Sequence, residues 1–218
     1  MKKSEHKNIL QTVMEFGLSV RNERLHPVQV CRLSCKLFDD LQSLHRMGNT
    51  ERIWLQTAAL LHDIGKSICR KNHNKKSGDI IVKSSNLPFS KKERKIIGLI
   101  ARYHRGALPS RSHKYYGKLD SESRYYIRRL AALLRFADGL DSNHKSSVTD
   151  MSCQITDDNI ILHADIADAF KPSKAIIKAD LLEFVFDREV IIIEQLEHAF
   201  PFPDAELRDN LDYTDLDY

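Results

Sequence analysis

Apolar side chains recur at helical spacing through the first part of the chain. One set lies between Ile9 and Val20, and a longer set lies between Val28 and Leu44, directly after Pro27. Residues three or four positions apart share one face of a helix, and proline is favoured in the first helical turn. The pattern therefore predicts two amphipathic helices near the N-terminus.

Capping residues divide the next stretch into further helices. Thr50 can cap a helix over 51–62, and Ser90, with Glu93 three positions later, forms a capping-box pattern before 91–103. Another apolar face predicts a helix over 75–83, and Asp120 or Ser121 can open a last long helix. Glycine, proline and polar residues make 106–117 a predicted loop.

The pattern changes after Asp141. Two short apolar segments, 153–156 and 160–163, flank a turn, 172–186 returns to helical spacing, and 189–193 is rich in β-branched residues. We predict a mainly α protein with three parts. These are a helical bundle over residues 1–145, a small α+β subdomain (ββαβ) over 146–197 and an acidic tail over 198–218.

Composition excludes several classes of protein. Hydrophobic residues make up 42% and charged residues 29% of the 218 residues, which is typical of soluble globular domains and not of fibrous or disordered chains. No apolar run approaches the roughly 20 residues that span a bilayer, and no signal-peptide core follows Met1. The four cysteines form no CxxC pair, which argues against a zinc ribbon. We expect a cytoplasmic protein with no membrane partner.

Charge is unevenly distributed along the chain. Residues 201–218 contain six acidic side chains against Arg208, whereas the whole chain has a net charge of +4. The remaining body is therefore basic and favours an anionic ligand. Arg124, Arg128 and Arg129 are interleaved with tyrosines at helical spacing that we expect to pack, so nucleic acid is not the expected partner.

Several polar residues with metal-ligating chemistry interrupt apolar faces near predicted helix ends. They are the adjacent pair His62 and Asp63, together with His26, His104 and Asp138. Buried polar groups cost free energy unless they are satisfied, and convergence on a divalent ion would satisfy several at once. The alternative is a helix-capping aspartate beside a core histidine.

The order of these residues resembles that of the HD superfamily of metal-dependent phosphohydrolases, in which a histidine is followed by a His-Asp pair and then by an aspartate. The resemblance is closer to the C-terminal region of the exopolyphosphatase and guanosine-pentaphosphate phosphatase (Ppx/GppA) family. It is carried by segments 26–30, 59–66, 102–105 and 133–138 and covers about residues 10–195. It implies an HD-domain helical bundle.

The resemblance also implies roles for individual residues. The implied metal ligands are His26, His62, Asp63 and Asp138. The implied catalytic residues are Asp63 and His104, with His104 as a second-metal ligand or general acid. The implied substrate-binding residues are Lys66, Arg102 and Arg105. Imidazoles with carboxylates suit Mn²⁺, Mg²⁺, Fe²⁺ or Ni²⁺, and Zn²⁺ is compatible.

Two departures from the family shape the functional hypotheses. The sequence contains no match to the family's actin-like module, which holds the polyphosphate-cleaving site. After the His-Asp helix, where the family often has several histidines, only His73 occurs, which favours one metal over two. The leading hypothesis is a metal-dependent phosphohydrolase acting on a small phosphorylated molecule, with a nucleotide as the expected substrate. The alternative is a non-catalytic module that binds polyphosphate or a guanine alarmone, or that forms a homodimer.

Overall fold

The computed structural model describes residues 3–21, 24–113, 115–167 and 170–196. Its first part is helical. The helices are α1 (Lys3–Val20), α2 (Leu25–Asp40), α3 (Gln42–His45), α4 (Asn49–Leu61), a 3-10 helix (Ile64–Ser67), α5 (His73–Lys83), α6 (Lys91–Arg102) and α7 (Ser121–Leu140). A small α+β part follows. Its elements are β1 (Val148–Ile155), β2 (Asn159–Ile166), α8 (Pro172–Ile177), α9 (Asp180–Phe186) and β3 (Glu189–Leu196).

Helix α7 lies in the centre of the helical part and packs against α2, α4 and α6. The side chains predicted to line one face of this helix are fully buried: Ile127, Leu130, Leu133, Leu134 and Ala137. Burying each large aliphatic side chain is worth about 1.5–3 kcal/mol. This shared core places the ends of the surrounding helices close to the C-terminal end of α7.

Side-chain caps mark the starts of α6 and α7, at Ser90 and Asp120. The Ser90 hydroxyl accepts the backbone N–H of Glu93 at 3.3 Å, and the Glu93 carboxylate accepts that of Ser90 at 2.9 Å, as predicted. The cap predicted at Thr50 is wrong, because α4 begins at Asn49. The backbone N–H of Gly48 donates instead to the side chain of Glu51 at 2.8 Å.

The sheet combines an antiparallel and a parallel pair. Strand β2 lies in the middle, antiparallel to β1 and parallel to β3, with Ile160 opposite Val190. The predicted single helix over 172–186 is wrong, since the chain forms α8 and α9 with a break at residues 178–179. Asp180, the first residue of α9, is held by Arg135 of α7 through two hydrogen bonds of 2.6 and 2.7 Å.

Hydrogen bonds also join the sheet to α2. The Gln29 side chain donates to the carbonyl of Val148 at 2.7 Å, and the Asp40 carboxylate accepts the backbone N–H of Cys153 at 3.0 Å. The mainly α class with a small α+β part is confirmed. The division at residues 145 and 197 stays a prediction, and the acidic tail lies outside the described residues. None of the described helices combines the length and the apolar character needed to cross a membrane.

Candidate metal centre

Four histidines and two aspartates from five places in the chain meet beside the C-terminal end of α7. His26 lies in the first turn of α2, His62 and Asp63 follow α4, His73 begins α5, His104 follows α6, and Asp138 lies in the last turn of α7. All six are buried. Each lies at or near a helix end, where the chain direction changes and polar side chains from different helices can converge.

The histidine rings are held in one orientation. The Nδ1 atoms of His62, His73 and His104 each lie 2.7 Å from the backbone carbonyl three residues earlier. Nδ1 of His26 lies 2.7 Å from the carboxylate of Asp141. Because these partners are acceptors, Nδ1 is the donor in each ring, and Nε2 of a neutral ring carries a lone pair. Such a second contact fixes the tautomer of metal-ligating histidines.

The Nε2 atoms then face one another in pairs. Nε2 of His26 lies 3.3 Å from Nε2 of His62, and Nε2 of His73 lies 3.3 Å from Nε2 of His104. Two facing lone pairs repel each other unless a cation or a shared proton lies between them. This donor arrangement fits a metal ion at each pair, and between His26 and His62 it also fits a proton on His26.

Asp63 lies between the two histidine pairs. Its Oδ2 atom is 3.8 Å from Nε2 of His26 and 3.6 Å from Nε2 of His62. Its Oδ1 atom is 3.1 Å from Nε2 of His73 and 3.9 Å from Nε2 of His104. One carboxylate can therefore offer a separate oxygen to each pair.

Asp138 lies beside the pair formed by His26 and His62. Its Oδ1 atom is 3.3 Å from Nε2 of His26 and 3.7 Å from Nε2 of His62. His26, His62 and Asp138 can hold one ion, and His62, Asp63 and His104 form a second group with ligand atoms within 4.8 Å of one another. Nitrogen and carboxylate ligands together suit Mn²⁺, Fe²⁺, Ni²⁺ or Zn²⁺.

Electrostatics keep both aspartates ionised. Burial disfavours the charge of Asp63, but nearby His62 and the contacts with His73 and Lys66 outweigh it and hold its pKa well below the usual range. Burial likewise opposes the charge of Asp138, and the ammonium of Lys178 is the strongest group that lowers its pKa. Both carboxylates are therefore ready to bind a cation at neutral pH.

The histidines differ in their proton affinity. Burial lowers the pKa of His26, but hydrogen bonds to Asp138 and Asp141 more than compensate and raise it to about 9. Complete burial lowers the pKa of His104 well below its ordinary value. A neutral, buried His104 suits a ligand better than the predicted general acid, which must carry a proton.

A cavity of about 460 Å³ opens beside this cluster. Cationic side chains dominate its wall, namely Lys66, Arg105, Arg135, Lys174 and Lys178. Two of them pair with the cluster, because Lys66 contacts Oδ2 of Asp63 and Lys178 contacts Oδ2 of Asp138. The surroundings of the cavity therefore favour an anion.

Most of the residues predicted for the site lie close together in the structure. The structure brings together the predicted ligands His26, His62, Asp63 and Asp138 and places His104 beside them. Predicted substrate-binding residues Lys66 and Arg105 line the cavity.

The role predicted for Arg102 stays a prediction. Arg102 is not among the described residues that line the cavity, and its Cβ lies against Gly78 of α5. The predicted role of Arg102 in substrate binding has no support from the geometry.

Sequence reasoning assigned no role to four residues of the centre. His73 was noted as the single histidine in the stretch after the His-Asp helix, and it faces His104. Asp141 orients His26, and the His144 ring stacks on His26 with centroids 3.7 Å apart. Lys178 reaches Asp138 from the end of α8. The spacing of Asp138 and Asp141, one helical turn apart, was a signal available for Asp141.

Comparison with known proteins agrees with this picture. The family model described as Ppx/GppA phosphatase, domain III, matches residues 11–184. A search of curated proteins found no significant match.

Proposed function

The chain belongs to the family of Ppx/GppA phosphatase domain III, and we propose that it is a metal-dependent phosphohydrolase with a metal centre of the HD type. The observation that carries this proposal is the pairing of histidine Nε2 atoms at 3.3 Å, with every Nδ1 atom already engaged.

His26, His62, Asp138 and Oδ2 of Asp63 would hold one ion. His73, His104 and Oδ1 of Asp63 would hold a second. A divalent ion bound there would supply Lewis-acid polarisation of a phosphoryl oxygen and would lower the pKa of water. The reaction is the addition of water across a P–O bond, with the departing oxygen leaving protonated.

The chain's own side chains bind and orient the substrate. Lys66 and Arg105 line the cavity, and ammonium and guanidinium groups both donate charge-assisted hydrogen bonds to phosphoryl oxygens. Asp63 has a pKa held below the usual range. It can therefore accept a hydrogen bond from the attacking water and orient it, but it is a weak base.

A small phosphorylated molecule, with a nucleotide as the first candidate, is the proposed substrate. The test uses metal-free protein to which Mn²⁺ is added, with nucleoside mono-, di- and triphosphates and cyclic dinucleotides as substrates. We expect turnover that requires Mn²⁺ and is lost in Asp63→Asn. Asp157→Asn, in an exposed turn, is the matched control and should stay active. Absence of any turnover that depends on both metal and Asp63 would refute the proposal.

One observation favours the second candidate, a non-catalytic module that binds polyphosphate or a guanine alarmone. Lys66 and Lys178 already neutralise Asp63 and Asp138, so the cluster is balanced without an ion. This candidate predicts tight, salt-sensitive binding of such anions without hydrolysis. Binding that does not change in Arg105→Gln and Lys174→Gln would contradict it. A homodimer and a cytoplasmic location stay predictions.

A further inference from the structure

Helix α8 and the residue that follows it form one wall of the cavity, with Lys174 inside the helix and Lys178 directly after its last residue. Lys174 and Lys178 are four residues apart, and both line the cavity. Lys178 is also paired with Oδ2 of Asp138, a ligand candidate of the metal centre. We propose that Lys174 and Lys178 form a binding site for phosphoryl anions, which the Lys178–Asp138 ion pair masks in the metal-free protein and which metal binding opens. The inference rests on the proposed metal centre but not on catalysis.

The position of α8 depends on a close approach to α7. A Cβ atom on Gly139, the residue after Asp138, would lie 2.9 Å from the Cα atom of Ala175 and 3.2 Å from the Cβ atom of Lys178. Such contacts are shorter than normal packing allows, so only glycine admits α8 at this distance. The absence of a side chain at Gly139 therefore brings Lys178 next to Asp138.

A second attachment holds this wall in place. Arg135 of α7 donates two hydrogen bonds to the carboxylate of Asp180, at the start of α9, and a third to the carbonyl of Gly106 at 3.1 Å. The bidentate geometry is the strong, directional form of this pair. The α8 wall is therefore attached to the helical part on both sides of Lys178, and its lysines face the centre in a defined position.

The carboxylate of Asp138 can neutralise one cation well. Its side chain is 11% exposed and that of Lys178 is 24% exposed, so the pair is partly withdrawn from water, and its attraction is stronger than at a free surface. A divalent ion held by Asp138 competes for the same charge and weakens its attraction for the ammonium. The released Lys178 then lies with Lys174 in a cavity already lined by Lys66 and Arg105.

The chemistry of the released site selects its ligand. Two ammonium groups near a third lysine and an arginine attract a compact anion with several acceptor oxygens, which describes a phosphoryl group. Because metal strengthens anion binding in this scheme, the anion must strengthen metal binding by the same factor. The affinity for Mn²⁺, measured with and without phosphate, should therefore show the same coupling.

The experiment measures binding of inorganic phosphate to the metal-free protein by calorimetry. Asp138→Asn removes the charge that holds Lys178 and keeps the shape of the side chain. We expect it to bind phosphate about tenfold more tightly than the unaltered chain, since a hydrogen bond to a charged group is worth about 1.5–3 kcal/mol. Adding Lys178→Gln to this variant should remove the gain. Lys171→Gln, on the exposed residue that precedes α8, is the matched control and should leave the gain intact.

The outcomes separate this proposal from the proposed function. Equal phosphate affinity in the metal-free unaltered chain and Asp138→Asn, or a gain that survives Lys178→Gln, overturns the anion site even if the protein is an active hydrolase. The gain and its loss support the site even if no substrate is ever cleaved. Should Asp138→Asn fail to fold, the unaltered chain with Mn²⁺ should bind phosphate about tenfold more tightly than without it. In Lys178→Gln, Mn²⁺ should not increase the affinity for phosphate. An increase with Mn²⁺ in this variant would also overturn the proposal.

Discussion

Asp63 is the residue whose replacement should disable both ion sites at once. Its Oδ2 atom faces the His26–His62 pair at 3.8 and 3.6 Å, and its Oδ1 atom faces His73 at 3.1 Å. Asp63→Asn keeps the shape of the side chain but removes the charge that both ions would share. Two unit charges about 4 Å apart interact by about 4 kcal/mol at an effective dielectric constant of about 20. The ions are divalent, so this figure is a lower bound, and since about 1.4 kcal/mol is tenfold in affinity, each ion should bind at least roughly a thousandfold more weakly.

The assay is metal content after dialysis against Mn²⁺, measured by elemental analysis, together with calorimetric titration of the metal-free protein. The unaltered chain should retain two ions and Asp63→Asn none. Asp138→Asn should retain one, because Oδ1 of Asp138 lies beside the His26–His62 pair, whereas Asp63 lies beside both histidine pairs. Asp157→Asn, in an exposed turn, should retain two. If Asp63→Asn and Asp138→Asn lose the same single ion, the bridging role of Asp63 is refuted.

Two further predictions concern protons and stability. Because the pKa of His26 in the metal-free protein is raised to about 9, its ring carries a proton at pH 7 that a metal ion must displace. Metal affinity should therefore rise as pH increases towards 9 and level off above it. Titrations in two buffers of different ionisation enthalpy should show about one proton released at His26, and identical apparent enthalpies would contradict this. Ser90→Ala removes the hydroxyl that accepts the Glu93 N–H and should lower the free energy of unfolding by about 1 kcal/mol. Urea unfolding measures the loss, and an unchanged transition midpoint would show that the cap contributes nothing.

The sequence predicted the helices better than their connections. The buried face of α7 from Ile127 to Ala137 could be predicted because its apolar residues recur at helical spacing in the sequence. The break between α8 and α9 could not be predicted, because the helical spacing of apolar residues continues through it. That break depends on a contact distant in sequence, the pairing of Asp180 with Arg135. Local pattern carries no information on such a partner.

The same limit explains which site residues were found. His62 and Asp63 follow an apolar helix, where polar residues stand out, but His73 lies in a basic segment that looks like exposed surface. The structure buries His73 because the 3-10 helix turns the chain back upon α5. A Cβ atom on Gly65 would lie only 2.2 Å from the His73 carbonyl oxygen. The second histidine pair is thus a product of tertiary packing.

Lys66 and Lys178 bear on both candidate functions, the catalytic one and the anion-binding one. In the metal-free protein, the ammonium groups of Lys66 and Lys178 occupy the role of counter-ions to Asp63 and Asp138. An isolated lysine charge offers the cluster one positive charge and no vacant orbital for the facing Nε2 lone pairs. Divalent ions offer two charges each and accept such lone pairs, so one ion at each histidine pair would satisfy the imidazoles. Lysines displaced by such ions would face a cavity that is suited to a phosphoryl group. If the Lys66–Asp63 or the Lys178–Asp138 ion pair could not open, the protein should lose metal binding and anion binding together. This holds for the catalytic and for the non-catalytic candidate.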